Sequence, residues 1–190
     1  QLADKVAVRA YVEERVGADY LPEHYLVVDR PRQIDFDALP DRFYLKANHG
    51  ARFNIPVEDK SVLDVDETRR RLRKFLATDF SRAAGERQYR DIPRKVFAEE
   101  WLDVTQPRSM MLRLFSFDGD VAFIQVDTDS ERRSATETSW LLPDWTPAPF
   151  RYGREYSGVD LPRPANLDEV LRVASTLSKG IPFARVDLYW

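Results

Sequence analysis

The stretch Phe43-Tyr44-Leu45-Lys46-Ala47-Asn48-His49-Gly50 places a lysine at the end of a short apolar run and follows it with a turn-forming segment. A cation held at the end of a strand can lie along a polyphosphate, and backbone N–H groups in the following turn can face its oxygens. Residues 52–58 then alternate between apolar and polar, which predicts a second strand that pairs back on the first. The pattern indicates a phosphate-handling hairpin with Lys46 near its mouth.

The composition is that of a folded globular protein. The 190 residues are 43% hydrophobic and 32% charged, which is enough for one large domain or two small lobes with a buried core. Basic residues number 29 and acidic residues 32, and the net charge of −3 gives no general attraction to nucleic acid. We therefore predict no nucleic-acid partner.

Residue types that are absent or rare limit the chemistry. The chain has no cysteine, which excludes disulfides, thiolate catalysis and cysteine-ligated metals, and two histidines are too few for a histidine-rich metal site. No stretch approaches the roughly 20 apolar residues that cross a bilayer, and the N-terminus lacks the basic and apolar regions of a signal peptide. We predict a cytoplasmic protein that is not transmembrane and that works with carboxylates, lysine, arginine or hydroxyls.

Hydrophobic periodicity predicts a mixture of helices and strands. Helices are predicted over 4–16, after Asp64 and after Asn166. The remaining strands are predicted at 24–28, 95–102, 110–117, 121–127 and 183–189, with Asp118-Gly119 as a hairpin turn. Residues 128–164 are rich in aromatic residues and show no clear period, so they are predicted to form an active-site loop, a lid or a docking surface. Their aromatic rings either stack on sugar rings or cover the core.

The order of the elements favours a mostly antiparallel α+β fold, because strands and helices do not alternate regularly. There is no G-x-G-x-x-G and no Walker lysine motif, which excludes dinucleotide and P-loop sites. The pattern resembles the ATP-grasp superfamily, and within it the TupA-like family associated with teichuronopeptide and surface-polysaccharide biosynthesis. The resemblance is carried by Leu2 to Lys5 with Val8 to Val12, Leu39 to Gly50, Glu99 to Leu102, Phe115 to Gly119 and Phe183 to Tyr189.

This resemblance implies an ATP-grasp-like fold: two small lobes of mostly antiparallel sheet with flanking helices, and an ATP site between them. We expect one such domain over residues 1–190, with an N-terminal helix over 3–16, a first lobe over about 24–98 and a second over about 99–190. The chain opens at Gln1 and stops at Trp190 inside a predicted strand. We therefore expect a fragment of a longer protein.

The resemblance also implies the ligands ATP and Mg²⁺ and assigns roles to residues. Lys46 would contact the phosphates, and the following turn and the predicted hinge would hold the rest of the nucleotide. Asp187 would bind the metal, and Lys46, Arg113 and Arg185 would be catalytic cations. The predicted nucleotide-binding residues are Lys46, Asn48, His49, Gly50, Glu99, Glu100, Trp101 and Leu102.

Other interpretations of the same residues stay open. Lys46 can be a surface lysine, the hinge can be a strand with an aromatic core residue and two exposed acids, and Arg185 with Asp187 can be a surface ion pair. Asp4, Lys5 and Arg9 either contact substrate or the outer phosphates, or cap and solvate the first helix.

The chain departs from the family's pattern at three places. The family loop resembles Asn-His-Gly-Ser-Gly, whereas Ala51-Arg52 follow Gly50 here, and the lost glycine removes a site of close backbone approach. Arg113 stands where the family tends to have the lysine of a segment resembling Asp-Tyr-Lys. A second acidic metal ligand, in a motif resembling Gly-Glu-Leu-Thr, is missing from the sequence.

The function that the resemblance implies is an ATP-dependent carboxylate–amine ligase of bacterial surface-polysaccharide biosynthesis, working through an acyl-phosphate. Its partners would be ATP, a carbohydrate or uronic-acid-containing acceptor, an amine, and other domains of a polysaccharide-biosynthesis enzyme. One alternative is a glycan phosphotransferase that uses the same ATP site. Another is a catalytically degenerate nucleotide- or glycan-binding module of a larger polysaccharide synthase.

Overall fold

The structure is a computed structural model that describes residues 2–102, 110–128, 137–150, 152 and 161–190. The chain divides into two compact units, residues 1–102 and 103–190. Each unit contains one antiparallel four-stranded sheet with at least one flanking helix. The predicted α+β class with mostly antiparallel sheet is confirmed.

The first unit is built around a sheet with the strand order β1-β4-β2-β3. Its elements in chain order are α1 (Val8–Val16), β1 (His24–Val28), β2 (Phe43–Ala47), β3 (Asn54–Val57), α2 (Val65–Ala77), α3 (Phe80–Ala84) and β4 (Val96–Glu100). Helix α2 begins where the Asp64 side chain accepts a hydrogen bond from the Glu67 N–H at 2.8 Å. This cap satisfies one of the donors that a helix start leaves unpaired.

One face of this sheet forms the core of the first unit. Phe43 and Leu45 of β2, Ala98 of β4 and Leu72 of α2 are fully buried in one apolar cluster. Because side chains alternate along a strand, Tyr44, Lys46 and Glu99 lie on the opposite face. The strand register sets Tyr44 directly opposite Glu99.

The second unit has the strand order β7-β6-β5-β8. Its elements are β5 (Met110–Phe117), β6 (Asp120–Thr128), β7 (Glu137–Leu141), α4 (Leu167–Ser178) and β8 (Ala184–Tyr189). Asp118 and Gly119 both have positive φ, of 49° and 92°. This is the conformation that an Asp-Gly hairpin turn requires, and the predicted hairpin between β5 and β6 is present.

Helix α4 packs on one face of the second sheet, against buried residues such as Leu112, Leu114 and Ile124. The alternation along the strands therefore places a second set of side chains on the other face. That set is mostly polar or aromatic and includes Arg113, Phe115, Gln125, Asp127, Arg185 and Asp187.

Three elements differ from those predicted. Helix α1 begins at Val8 rather than near residue 4, because the Asp4 carboxylate accepts hydrogen bonds from the Val6 and Ala7 N–H groups and holds a turn before the helix. Helix α3 was not predicted, since it has only five residues. Strand β7 lies inside the segment predicted to have no period. Within the described residues, no helix is both long and apolar enough to cross a membrane.

Candidate functional site

An ion pair joins Lys46 of β2 to Glu99 of β4 in the first unit. The side chains are 27% and 10% exposed, and His24 Nε2 lies 3.6 Å from Glu99 Oε2. An ammonium group carries three donors, so Lys46 can contact a phosphate oxygen without leaving Glu99. Two of the predicted nucleotide residues are thus in direct contact, and His24, which was not predicted, supports the carboxylate.

Glu99 is held in its charged form. Burial opposes ionisation, but the hydrogen bond from His24 and the charge of Lys46 outweigh it, so the pKa of Glu99 lies below its ordinary value. Because Glu99 is charged and largely enclosed, it fixes the position of the Lys46 ammonium more firmly than solvent would. The sheet therefore carries a positioned cation of the kind that phosphate binding requires.

The predicted hinge continues β4 through Glu100, Trp101 and Leu102. The Glu100 N–H donates to the Glu23 carbonyl at 2.9 Å, and Glu100 Oε2 accepts from the Glu23 N–H at 3.2 Å. These two bonds tie the end of the strand to the segment before β1. Glu100 is thereby positioned by the backbone rather than by a ligand.

Trp101 is packed between polar and aromatic neighbours. Its ring stacks on Tyr44 with centroids 4.6 Å apart and planes 6° apart, and the Arg42 guanidinium carbon lies 4.7 Å from the indole centroid. These contacts leave Leu102, which is half-buried, as the better candidate to pack on an adenine ring. The buried Nε1–H of Trp101 has no acceptor in the part of the chain that the structure describes.

The turn after β2 is buried and internally bonded. Asn48 donates to Asp4 Oδ1 and to the Pro93 carbonyl, both at 2.9 Å, and its own Oδ1 accepts from the Lys95 N–H at 2.8 Å. All the polar atoms of the Asn48 side chain are used in this way. Asn48 therefore anchors the turn, and its contact with a nucleotide stays a prediction.

His49 is buried beside the end of α2. Its Nε2 lies 3.2 Å from the Phe75 carbonyl and 3.3 Å from the Thr78 carbonyl. Burial, assisted by the charges of Arg94 and Lys5, lowers the pKa of His49, and the ring is neutral at physiological pH. The ring secures the turn to α2 and leaves no cationic charge for a phosphate.

Gly50 is required by packing. A Cβ atom at this position would lie 2.7 Å from Phe80 Cγ and 2.8 Å from Phe53 Cε2, closer than carbon atoms approach. The glycine that the sequence suggests for a phosphate-covering loop thus meets two aromatic rings. Its role in covering phosphates stays a prediction.

Asp4 and Lys5 contact this turn directly. Besides the Asp4 bond to Asn48, the Lys5 N–H donates to the Asn48 carbonyl at 3.3 Å and the Lys5 ammonium donates to the Gly50 carbonyl. Burial and the nearby charge of Lys46 lower the pKa of Lys5 to about 8. Lys5 is therefore a half-buried cation beside Lys46 rather than a solvated residue of the first helix.

The second unit gathers the other three predicted site residues. Arg113 of β5 pairs with Asp127 of β6, and its Nε lies 4.0 Å from Asp187 Oδ2 on β8. Arg185 donates two hydrogen bonds to the same Asp187, at 2.7 and 2.8 Å. Arg113, Arg185 and Asp187 thus form one charged cluster on the sheet face opposite α4.

Asp127 belongs to this cluster and was not predicted as a site residue. It is buried and accepts from Gln125 Nε2 at 3.0 Å and from Thr138 Oγ1 at 3.1 Å, as well as from Arg113. The two-residue alternation with Gln125 on a predicted strand could have placed it on the polar face. Its partner Thr138 lies on β7, which the sequence did not predict.

The charged cluster has few of the ligands that a magnesium site needs. Among the described residues, no group of three or more acidic or histidine side chains stands close enough to hold a metal ion by itself. Mg²⁺ that arrives with ATP needs only one or two carboxylates. Asp187, whose side chain is 39% exposed, is more accessible than the buried Asp127, but both of its oxygens accept hydrogen bonds from Arg185. Its role as a ligand for a magnesium ion carried by nucleotide stays a prediction.

Aromatic rings continue from this cluster along the same sheet. Phe115, which pairs with Arg185 across the strands, lies 5.2 Å from Trp140 and 6.4 Å from Phe183 between ring centroids. Trp140 donates from Nε1 to the Tyr152 carbonyl at 2.8 Å. Phe117, Tyr152, Phe183 and Tyr189 are exposed, and Tyr156 lies outside the described residues.

Comparison with known proteins gives a family and a fold. The model of the family described as TupA-like ATPgrasp matches residues 1–190. No curated protein matches the chain. A solved structure titled "Structure of ATP-grasp ligase PsnB complexed with minimal precursor" is similar with a TM-score of 0.51 and 14% identity, over 99% of this chain and 48% of that one. The chain thus spans about half the length of that ligase, and the likeness shows the fold.

Proposed function

The chain belongs to the TupA-like ATP-grasp family, and from that premise we propose that it is an ATP-dependent ligase that joins a carboxylate to an amine in bacterial surface-polysaccharide biosynthesis. The observation that carries the proposal is the Lys46–Glu99 pair, a cation fixed on a strand beside the family's predicted hinge. We also propose that the reaction takes place in the cytoplasm.

Lys46 would contact the phosphates of ATP. Glu99 and His24 hold its ammonium in place, so little reorganisation is needed when a phosphate oxygen arrives. The buried Trp101 N–H, which lacks an acceptor in the described part of the chain, would donate to the nucleotide. Leu102 would pack on the adenine ring. Glu99 and Glu100 would lie along the polar edge of the adenine.

The reaction would proceed in two steps. A carboxylate oxygen of the acceptor attacks the γ-phosphorus of ATP, the bond to the β,γ-bridging oxygen breaks, and ADP leaves behind an acyl-phosphate. The amine nitrogen then attacks the acyl carbon, the bond from that carbon to the phosphate oxygen breaks, and the nitrogen loses a proton. The products are an amide, ADP and phosphate, and positioned cations supply most of the catalysis.

Arg113 and Arg185 would stabilise the transferring phosphoryl group. Both are already oriented by carboxylates, Arg113 by Asp127 and Arg185 by Asp187, which lowers the entropy lost on binding an anion. Asp187 would hold the Mg²⁺ that accompanies ATP after giving up at least one of its two hydrogen bonds with Arg185, and the ion would neutralise charge on the phosphates. Asp127 is a positioning residue for Arg113.

The acceptor would be a carbohydrate that carries a carboxylate, such as a uronic acid. The exposed rings of Phe117 and Phe183, with centroids 5.3 Å apart, offer apolar surfaces on which sugar faces can pack. Arg185 stands across the strand from Phe115 and can pair with a carboxylate. Rings beside a guanidinium would suit such an acceptor.

Product analysis tests this proposal against its nearest alternative. The chain is incubated with Mg·ATP, a panel of uronic acids and a panel of amines, and the products are separated by mass spectrometry. A ligase forms ADP, phosphate and an amide only when acid and amine are both present. Phosphate that remains on the glycan identifies a phosphotransferase and overturns the ligase assignment.

A catalytically degenerate binding module is favoured by one observation. The turn that the family uses to cover phosphates is here occupied by its own contacts, with Asn48, His49 and Gly50 buried and bonded within the unit. A module of this kind would bind nucleotide or glycan without consuming ATP. Binding without any product across the panels would support this second function.

A further inference from the structure

The sheet face that carries Lys46 also carries a row of stacked side chains. Tyr44 and Lys46 lie on this face because side chains alternate along β2, and Glu99 stands opposite Tyr44 on β4. The Trp101 ring stacks on Tyr44 with centroids 4.6 Å apart, and the Arg42 guanidinium carbon lies 4.7 Å from the Trp101 centroid. The Lys46 ammonium lies 5.0 Å from the Tyr44 centroid. Two stacked rings thus each face one cation.

Two groups of different kinds contact the Lys46 ammonium. Glu99 accepts a hydrogen bond from it, and the Tyr44 ring lies within the roughly 6 Å over which an aromatic face attracts a cation. A single hydrogen bond lets the ammonium swing about its partner, whereas a ring on a second side restricts that motion. Tyr44 is itself buried and stacked on Trp101, so its ring is a fixed surface.

We propose that Tyr44 is a positioning residue for Lys46, and that Trp101 and Arg42 hold the Tyr44 ring in place. The proposal rests on the proposed function, since Lys46 is the cation that would contact the phosphates of ATP. Tyr44 acts through the ammonium and not on the phosphates themselves. A lysine held by Glu99 alone would lose more freedom of motion when an anion binds, and its affinity for the anion would be lower.

The position of the ammonium is measured first, by NMR without nucleotide. Protons held over an aromatic face resonate upfield, so the Hε protons of Lys46 should lie upfield of those of Lys95, which pairs with Asp29 through exposed side chains. Comparison with Lys46→Arg identifies the resonance. Tyr44→Phe keeps the ring and should keep the shift, and Tyr44→Leu should remove it. No upfield shift in the wild type, or a shift that survives in Tyr44→Leu, overturns the proposal.

Calorimetric titration with Mg·ATP then measures what this position contributes to binding. Tyr44→Leu should bind about threefold to fivefold more weakly than the wild type, the change that a cation–ring contact supports, and Tyr44→Phe should bind within about twofold of it. In a Lys46→Met background, which has no ammonium to position, Tyr44→Leu should change the affinity by less than about twofold. An equal loss in both backgrounds would assign the effect to packing and overturn the proposal.

The matched control is Tyr11→Leu. Tyr11 lies on α1, and its ring centroid is 4.5 Å from the guanidinium carbon of Arg15, so this variant also removes a ring that faces a cation. It should bind Mg·ATP like the wild type. Circular dichroism verifies that each variant is folded.

Failure of this proposal and failure of the proposed function give different results. A Lys46 shift that depends on Tyr44, combined with no binding of Mg·ATP, would keep the positioning of the ammonium and remove the nucleotide site. Binding of Mg·ATP that depends on Lys46 but not on Tyr44 would keep the nucleotide site and remove the role of Tyr44.

Discussion

The two units share one architecture, but their charged side chains differ in how they are buried and paired. In each, a helix covers one face of a four-stranded antiparallel sheet and ionic side chains lie on the other face. In the first unit, Glu99 is enclosed and its ionic partners are Lys46 and His24. In the second unit, Arg113, Asp127, Arg185 and Asp187 form a chain of alternating sign, with Asp187 and Arg185 at its exposed end.

The first unit therefore holds a cation, Lys46, in place, whereas the charges of the second unit neutralise one another. The Lys46–Glu99 pair is enclosed and holds its ammonium in place, so little reorganisation is needed when an anion arrives. The alternating charges of the second unit satisfy one another, and those of Arg185 and Asp187 are also screened by water. Substitutions should therefore affect the first unit more than the second.

The largest effect is expected for Gly50→Ala, which tests how tightly the first unit is closed. The added Cβ would meet the Phe80 and Phe53 rings at less than 3 Å, so we expect a loss of about 2–3 kcal/mol in the free energy of unfolding, measured with urea. In a Phe80→Ala background the loss should be smaller, because the contact with Phe80 is removed while the contact with Phe53 remains. An equal loss in both backgrounds would show that the clash with Phe80 is not the cause.

The second-largest effect is expected for Lys46→Met, which leaves the enclosed Glu99 with His24 as its remaining ionic partner. We expect a loss of about 1–3 kcal/mol at pH 7. Because the folded pKa of Glu99 is lowered, its contribution is present above the unfolded pKa and is lost as pH falls through the folded pKa. Urea titrations from pH 7 to pH 3 should show a weaker pH dependence in the variant.

The matched control for Lys46→Met is Lys95→Met. Lys95 pairs with Asp29 at 3.3 Å through exposed side chains, so its loss should cost at most about 0.5 kcal/mol. Equal losses for the two variants would contradict the contrast between enclosed and exposed pairs.

His49 provides a pH test of the buried turn. Its folded pKa lies below the ordinary value of 6.5, so the unfolded chain binds a proton more readily. Stability should be complete above about pH 7 and should fall as pH drops through 6.5 towards the folded pKa. Replacing His49 with Gln should flatten this part of the stability curve, and an unchanged slope would place the titration elsewhere.

The smallest effects are expected in the second unit. Arg185→Met should change stability by less than about 0.5 kcal/mol, because its pair with Asp187 is exposed. Arg113→Met should cost about 1 kcal/mol, since the buried Asp127 loses a charged partner but keeps Gln125 and Thr138. Urea denaturation of both variants measures the two losses of stability. A larger loss for Arg185→Met than for Arg113→Met would show that the exposed pair contributes more to stability.

The regular parts of the fold could be predicted from the sequence. Strand β5 and the Asp118-Gly119 hairpin follow from alternation and from a glycine that accepts positive φ. Helix α2 follows from its Asp64 cap and its apolar stripe. These features depend on residues close together in the chain, which is why local patterns predicted them.

The internal roles of the site residues could not be predicted in this way. The Asn48 amide is satisfied by Asp4 and by the backbone of Pro93 and Lys95, groups that only the folded chain brings together. The place of Asp127 depends on the register between β5, β6 and β7. Strand β7 itself lies among aromatic residues and prolines that hide its alternation.

The central claim is that Lys46 is a positioned cation for the phosphates of ATP. Its most direct test is calorimetric titration of Mg·ATP into the wild type, Lys46→Ala and the control Lys95→Met. We expect the wild type and the control to bind alike and Lys46→Ala to bind at least tenfold more weakly, which is about 1.4 kcal/mol. No binding by the wild type, or equal binding by Lys46→Ala, would contradict the claim.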